Sequence, residues 1–221
     1  PISANEIKRQ AQAGDMGDQL VAVVVKRHTL AKTKTGKNKV KWVRGFRAPR
    51  LEDDNSAAIL EKINEKLPEW NAGDIVPSES IPVGSKTDEA LRFGTKMWRD
   101  MFAPRQLLAH GQSVQVFREM VEADRQSGKL NPVRISAYVY LSLALDKLLN
   151  WNARLSSWNV NALTLRSVFD RHDFAFKWSY AEMALLIDDM GFDWALNSTN
   201  KALKELVEMV ADGRKGDLLD R

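Results

Sequence analysis

The residues best suited to chemistry in this sequence form one long basic run. Between positions 26 and 50 there are ten lysine or arginine residues and no acidic one. A polyanion gains from such a run because each neutralised phosphate releases condensed counterions, whatever the base sequence. The run therefore predicts a DNA contact, although a solvated hairpin whose lysines keep an exposed edge soluble stays open as the alternative. The ten residues are Lys26, Arg27, Lys32, Lys34, Lys37, Lys39, Lys41, Arg44, Arg47 and Arg50.

Three further side chains belong to the predicted DNA contact. Trp42 lies within the basic run, where an indole can stack on an unpaired base, and packing inside the fold stays open as the alternative. Arg105 and Gln106 fall in the first turn of a helix that Pro104 begins, a position suited to a phosphate or a base edge. For these two residues, a salt bridge and helix-end hydrogen bonding are the alternative. The other tryptophans, for which packing is the favoured interpretation, are Trp70, Trp98, Trp151, Trp158, Trp178 and Trp194.

Few residues are suited to catalysis. The sequence has no cysteine, which excludes disulfides, thiolate nucleophiles and cysteine-ligated zinc. It also lacks a glycine-rich phosphate loop between a strand and a helix, and a serine-centred nucleophile elbow. His172, flanked by Asp170 and Asp173, could be a base or half of a metal site, but an ion-paired structural cluster around Arg171 is the favoured interpretation. We therefore predict no catalytic residue and no metal ligand.

Length and composition match an ordinary globular protein. The chain has 221 residues, of which 44% are hydrophobic and 28% charged, enough to form a substantial core. No apolar run approaches the roughly 18 residues that a membrane helix needs, and no signal-peptide pattern is present, so we expect a cytoplasmic protein without membrane contact. The net charge of +4 divides into +9 over residues 1–50 and −5 over residues 51–221, which sets the basic run apart from the rest.

Hydrophobic periodicity places the basic run on a β-hairpin. A short helix over 2–12 precedes it, and the apolar, β-branched residues of 20–25 predict a buried strand. A polar loop over 32–38 then leads to a second strand over 40–46. The hairpin would present its basic side chains from an extended loop.

The rest of the chain has a mainly helical pattern. Capping boxes predict helix starts at Ser85 and Ser179, and Pro104 predicts another. Apolar residues run nearly all round 135–150, which predicts a central helix covered on most sides. The predicted helices after the hairpin cover 56–66, 85–101, 104–125, 135–150, a segment opening at 179, and 199–212.

These elements predict an α+β fold that is mainly α, with a helical body and a small N-terminal antiparallel β-hairpin. Prolines and glycines among small polar residues make 71–86 a predicted linker. The predicted organisation is a basic hairpin plus helix subdomain over 1–70, this linker, and a helical subdomain over 87–221.

Three stretches resemble one family, the adenine-specific DNA methylases that contain a zinc-ribbon module. The first covers 14–25, and the second joins Ile81-Pro82, 91–94 and the string Trp98-Arg-Asp-Met-Phe-Ala-Pro-Arg-Gln-Leu-Leu108. The third covers 137–147 and 150–158 and continues over 168–178. Order and spacing agree over most of the chain, and Phe102-Ala-Pro-Arg-Gln-Leu107 is the most specific of these matches.

The resemblance implies a relative of S-adenosylmethionine-dependent methyltransferases that methylate N6 of adenine in DNA, in a restriction–modification or phage-defence setting. Members have an early glycine-rich cofactor motif and a late Asp-Pro-Pro-Tyr tetrapeptide, and this sequence contains neither. The zinc-ribbon cysteines are also absent. We therefore expect a segment that follows the zinc ribbon and precedes the tetrapeptide, without a cofactor of its own. The cofactor S-adenosylmethionine would belong to the parent enzyme.

The leading hypothesis is a non-catalytic, DNA-engaging and scaffolding segment of such a methyltransferase, with DNA and the remaining methylase domains as partners. One alternative is a helical protein-interaction scaffold without nucleic-acid binding, which predicts an exposed apolar patch. Another is a small metal hydrolase built around His172 with Asp170 or Asp173.

Overall fold

The computed structural model describes residues 2–170 and 177–211, and these residues are mainly helical. Two antiparallel pairs of strands accompany the helices, β1 (Val23–Lys32) with β2 (Asn38–Arg47), and β3 (Ser157–Asn159) with β4 (Thr164–Arg166). The described α-helices are α1 (Ala4–Ala13), α2 (Ser56–Ala72), α3 (Asp88–Arg92), α4 (Pro104–Gln126), α5 (Pro132–Trp151) and α6 (Gly191–Ala211). The predicted fold class is confirmed: α+β and mainly α, with a small antiparallel hairpin near the N-terminus.

Local capping chemistry explains where several helices begin. The Ser3 hydroxyl accepts a hydrogen bond from the Glu6 amide, and the Asn131 side chain accepts one from the Arg134 amide. Each bond satisfies an amide that has no partner inside the helix. Pro104 begins α4, where its missing N–H costs nothing because that group would be unpaired anyway. The predicted helix starting at Pro104 is confirmed and runs to Gln126.

Helix α2 continues beyond its predicted end. The sequence pattern predicts an end near residue 66. In the structure α2 passes through Pro68 to Ala72. The reason is tertiary: Trp70 in the last turn is fully buried, and its indole N–H donates to the Gln115 side chain of α4 at 2.8 Å.

The two capping-box predictions are wrong. Thr87 precedes α3 without capping it, and α3 ends at Arg92, well short of residue 101. The segment after Ser179 is irregular, and the last helix begins at Gly191. Here tertiary partners satisfy the backbone instead of a helix: the Met183 amide donates to the Asn152 side chain at 2.9 Å.

The strand predicted as buried is exposed. Strand β1 begins at Val23, after the predicted start, and Val21 lies outside it with most of its surface exposed. Strand β1 pairs only with β2, and the body meets this two-stranded ribbon at its base, so Val23 and Val25 are partly buried while Val24 is 43% exposed.

Only the second half of α5 is central. Ala144 and Leu148 pack with Leu185 and Ala195 in the main described apolar cluster, where α5 meets α6. The first half is not covered as predicted, since Ile135 is 51% and Val139 is 54% exposed. An apolar sequence around a whole helix predicted burial on most sides, but the first half of α5 packs on α4 along one side only, where Tyr138 meets Phe117.

The segment 71–86 joins α2 to the helices that follow it. After α2 ends at Ala72, no regular helix or strand forms until α3, although the Ile81 amide donates to the Lys96 carbonyl at 2.8 Å. Helix α2 on one side of this segment packs against α4 on the other side. The division into subdomains over 1–70 and 87–221 stays a prediction. None of the helices described is both long and apolar enough to span a membrane.

Candidate nucleic-acid interface

The basic run lies on a long two-stranded ribbon, formed by β1 and β2. The strands pair without interruption from Val23 opposite Arg47 to Lys32 opposite Asn38. At about 3.3 Å per residue, these ten pairs make a ribbon roughly 30 Å long. The loop at its tip is closed by hydrogen bonds between Thr33 and Lys37, with Gly36 in the left-handed conformation at φ +79°.

Two cations attach the base of the ribbon to the body. Lys26 and Arg44 face each other across the ladder, so their side chains lie on the same face. The Arg44 guanidinium donates to the Leu163 carbonyl at 2.6 Å, and the Lys26 ammonium lies 3.5 Å from the Asp189 carboxylate. On this face Phe46 also meets Trp158 edge to face, with ring centroids 5.7 Å apart. These contacts fix the direction in which the ribbon leaves the body.

Two more cations, at and just after the end of β2, form ion pairs with nearby carboxylates. The Arg47 guanidinium forms a bidentate pair with Asp53, at 2.5 and 2.6 Å. The same carboxylate accepts the Arg50 amide at 2.7 Å. The hydrogen bonds from Arg47 and from the Arg50 backbone lower the pKa of Asp53 well below its usual range, so this anchor stays charged at neutral pH. The Arg50 side chain lies 3.1 Å from the exposed Glu52 carboxylate.

The other six basic residues, which we call the distal cations, have no acidic partner among the described residues. Because residues alternate between the faces of a strand, three of them share one face and two others lie in the tip loop. The remaining one, Lys32, ends β1 on the opposite face. Five of them lie in the tip loop or within four residue pairs of it, whereas Arg27 follows Lys26 directly and lies near the base of the ribbon. The distal cations are Arg27, Lys39 and Lys41 on the shared face, Lys34 and Lys37 in the loop, and Lys32.

The face opposite Lys39 and Lys41 carries aromatic and apolar side chains together with Lys26, Arg44 and Lys32. Trp42 lies across the ladder from His28, with ring centroids 3.5 Å apart, and the Lys26 ammonium is 4.9 Å from its ring centroid. The indole is nevertheless 49% exposed. Trp42 thus packs within the ribbon and also presents ring surface to solvent, as a stacking residue would.

Arg105 and Gln106 lie in the first turn of α4, as predicted, but their side chains make contacts within the protein. Gln106 is 1% exposed, and its side-chain oxygen accepts the Ala103 amide at 2.9 Å. Arg105 is ion-paired with Glu182 at 3.3 Å. These are the contacts of the alternative interpretation, a salt bridge and helix-end hydrogen bonding. Burial of the Glu182 carboxyl raises its pKa, although the charge of Arg105 opposes that change.

The structure confirms packing for several tryptophans, but Trp178 is mostly exposed. Trp70 is fully buried, and Trp151 meets Trp194 edge to face at 5.4 Å between ring centroids. Trp178, in contrast, is 68% exposed. It follows Lys177 directly in the sequence, a neighbouring cation that could have marked it as a candidate binding residue.

The predicted histidine cluster is only partly described. Asp170 pairs with Arg166 at 3.6 Å, a contact within one short segment. Arg171, His172 and Asp173 lie outside the described residues. Within 2–170 and 177–211, no group of three or more histidine or acidic side chains is placed to hold a metal ion. The metal-hydrolase alternative therefore gains no support from the geometry.

The ribbon can thus make two kinds of contact: electrostatic contacts from the distal cations and stacking or apolar contacts from the Trp42 face. Comparisons of the chain with protein-family models, curated proteins and solved structures find no match. The resemblance to adenine-specific DNA methylases stays a prediction from sequence.

Proposed function

We propose that this chain binds DNA through its β-ribbon, as a non-catalytic segment of an S-adenosylmethionine-dependent DNA adenine methyltransferase. The observation that carries the DNA-binding part is the set of six distal cations, which have no acidic partner among the described residues and of which five lie in the tip loop or within four residue pairs of it. A charged side chain that stabilises the fold is expected to have a partner, as Arg47 has in Asp53. Cations without one are available to phosphates.

The ribbon has a size and shape that suit duplex DNA. The major groove is wide enough to admit a two-stranded β-ribbon. With the base held by Lys26 and Arg44, the tip carrying Lys34 and Lys37 can approach the sugar–phosphate backbone. Contacts of this kind depend on charge and are independent of base identity. The chain should therefore show little preference for DNA sequence, and its affinity should depend strongly on salt concentration.

The methyltransferase part of the proposal is supported by the sequence resemblance alone. The chain lacks the glycine-rich cofactor motif and the Asp-Pro-Pro-Tyr tetrapeptide, so methyl transfer would belong to other domains of the parent protein. The chain would then grip DNA and support the substrate side of the catalytic domain, in the cytoplasm. The proposal predicts that the chain alone does not bind S-adenosylmethionine, which calorimetric titration can test.

The deciding experiment measures the salt dependence of duplex binding. The quadruple variant Lys34→Ala, Lys37→Ala, Lys39→Ala and Lys41→Ala should reduce the slope of log K against log salt by up to about 0.9 per lost phosphate contact. The matched control replaces four exposed lysines of the body, at positions 62, 129, 201 and 204, and should keep the wild-type slope. An unchanged slope in the ribbon variant would remove the ribbon from the interface.

A second candidate function, a protein-interaction scaffold, is favoured by one observation. Helices α4 and α5 form a hairpin on which Met120, Val133, Ile135 and Val139 are exposed. Exposed apolar side chains can belong to an interaction site, and under our first proposal the partners would be the remaining methylase domains. The scaffold alone predicts no affinity for DNA at low salt, so the same titration separates the two functions.

A further inference from the structure

A second candidate binding site is a groove next to the β3–β4 hairpin. It has a volume of about 300 Å³, at the lower end of the range for small-ligand pockets. The β3–β4 hairpin forms one side and the segment 177–179 the other. Its lining consists of Ser157, Arg166, Asp170, Lys177, Trp178 and Ser179.

Trp178 gives this groove an aromatic surface. The indole is 68% exposed, although burial is the usual way in which a tryptophan contributes to a fold. An edge-to-face contact with Phe93, with ring centroids 6.2 Å apart, supports the ring from the α3 side. An indole that is held in position and still exposed can stack a flat ligand at little entropic cost.

Two cations stand beside the exposed indole. Lys177 makes no ion pair with any residue that the structure describes. Arg166 has Asp170 as a partner, but the two charged groups are 3.6 Å apart and about half exposed. Surface ion pairs of this kind contribute little, so a phosphate can take the place of the carboxylate at small cost. The groove therefore combines a stacking surface with positive charge.

The groove is connected to the ribbon through β3 and β4. Ser157 of its lining pairs with Arg166 across the short sheet, and the next residue, Trp158, contacts Phe46 of β2. Leu163, in the turn between β3 and β4, accepts the hydrogen bond from Arg44. Since residues alternate between the faces of a strand, Ser157 and Arg166 lie on the face of this hairpin opposite to Trp158, so the groove and the ribbon flank the same two short strands.

We propose that this groove binds one nucleotide of a single-stranded stretch of DNA, with the base stacked on Trp178 and a phosphate near Lys177 and Arg166. This inference rests on the proposed DNA-binding function and adds to it a site for unpaired nucleotides. A fully paired duplex cannot offer a base face to the indole, because both faces of each internal base are stacked on neighbouring bases. The groove therefore distinguishes single-stranded from duplex DNA, which the ribbon does not.

The test compares a fully paired duplex with the same duplex carrying a single-stranded gap. Trp178→Ala should weaken binding to the gapped DNA roughly 5- to 150-fold, the equivalent of about 1–3 kcal/mol for one stacked base. It should leave duplex binding within about twofold, because the ribbon is unchanged. Trp178→Phe keeps an aromatic face and should retain most of the affinity for the gap. Lys177→Ala should lower the salt slope for the gapped DNA, and Lys204→Ala is its matched control.

The outcomes separate this inference from the proposed function. If Trp178→Ala leaves gapped binding unchanged, or weakens both DNAs equally while circular dichroism shows a folded protein, the groove is not a nucleotide site. The proposed function stands in both cases, provided that duplex binding still depends on the ribbon lysines. If the wild-type chain binds neither DNA at low salt, both proposals are wrong.

Discussion

The indole of Trp70 lies directly against the Cα of Gly111. A Cβ built on that glycine would come 2.5 Å from the Trp70 ring, far inside normal van der Waals contact. The indole is fully buried, and its N–H is satisfied by Gln115, one turn further along α4. The absence of a side chain at position 111 therefore sets how closely α2 and α4 approach.

Replacing this glycine should destabilise the protein. Gly111→Ala should lower the free energy of unfolding by about 1–3 kcal/mol, because the methyl group overpacks the Trp70 site. The sign of this change in unfolding free energy is informative. Alanine is the better helix former by about 1 kcal/mol, so at an uncrowded helical site the same substitution would stabilise the protein. Urea denaturation measures the effect. Gly17→Ala, with open space around the added Cβ, is the control; a stability equal to or above wild type for Gly111→Ala would contradict the packing.

A second prediction concerns the segment that leads into the ribbon. Asp18 forms a bidentate pair with Arg154 at 2.7 and 2.8 Å, and the guanidinium lies 5.3 Å from the Tyr180 ring centroid. Asp18→Asn should cost about 1 kcal/mol of unfolding free energy, since it leaves a partly buried guanidinium without its charge partner while the remaining exposure limits the loss. Asp15→Asn, a nearby exposed carboxylate, should change stability far less. Equal effects of the two variants in urea denaturation would contradict a specific role for the Asp18 pair.

A third prediction concerns pH. Burial lowers the pKa of His110 below its ordinary value of 6.5, and the neutral ring donates from Nε2 to the Asn152 carbonyl at 2.9 Å. Below that ordinary value the unfolded chain takes up a proton that the folded chain resists, so stability falls as pH drops from 6.5 towards the lowered pKa.

His110→Gln should therefore flatten the decline in unfolding free energy between about pH 7.5 and pH 5.5, because glutamine has no proton to gain. Glu182 has the opposite effect on the pH dependence. Burial raises the pKa of its carboxyl group, so its contribution to the stability of the folded protein decreases as pH rises. The quantity to compare is thus the difference between wild type and variant at each pH. An identical pH dependence in both proteins would show that His110 is not the source.

A fourth prediction, which rests on the proposed function, separates stacking from charge on the ribbon. Trp42→Ala should weaken DNA binding at a fixed salt concentration, by up to about 1–3 kcal/mol if a base stacks on the exposed indole. The salt slope should stay at the wild-type value, because no charge is removed. Trp42→Phe should recover most of the loss. A changed slope with Trp42→Ala would instead indicate that the ribbon loses its shape when the contact with His28 is removed.

Local chemistry was enough to predict the fold class, the hairpin and the helix that starts at Pro104. Alternation of β-branched residues, turn residues and caps acts over a few neighbours, and these signals agree with the strands β1 and β2 and with α4. The basic run is also visible in the sequence alone, because charge is a property of residue type. The basic run was therefore placed on the hairpin from sequence, and its role as a DNA interface stays a prediction.

Tertiary contacts decided which of those cations are available and which apolar residues are covered. Lys26, Arg44 and Arg47 were indistinguishable from Lys39 in sequence, yet they hold the base of the ribbon because the body meets only that end. In the same way, Gln106 is buried and Trp178 is exposed, against expectation for both. Burial and pairing depend on which surfaces meet after the chain has folded, and residues more than a hundred positions apart, such as Arg44 and Leu163, determine that.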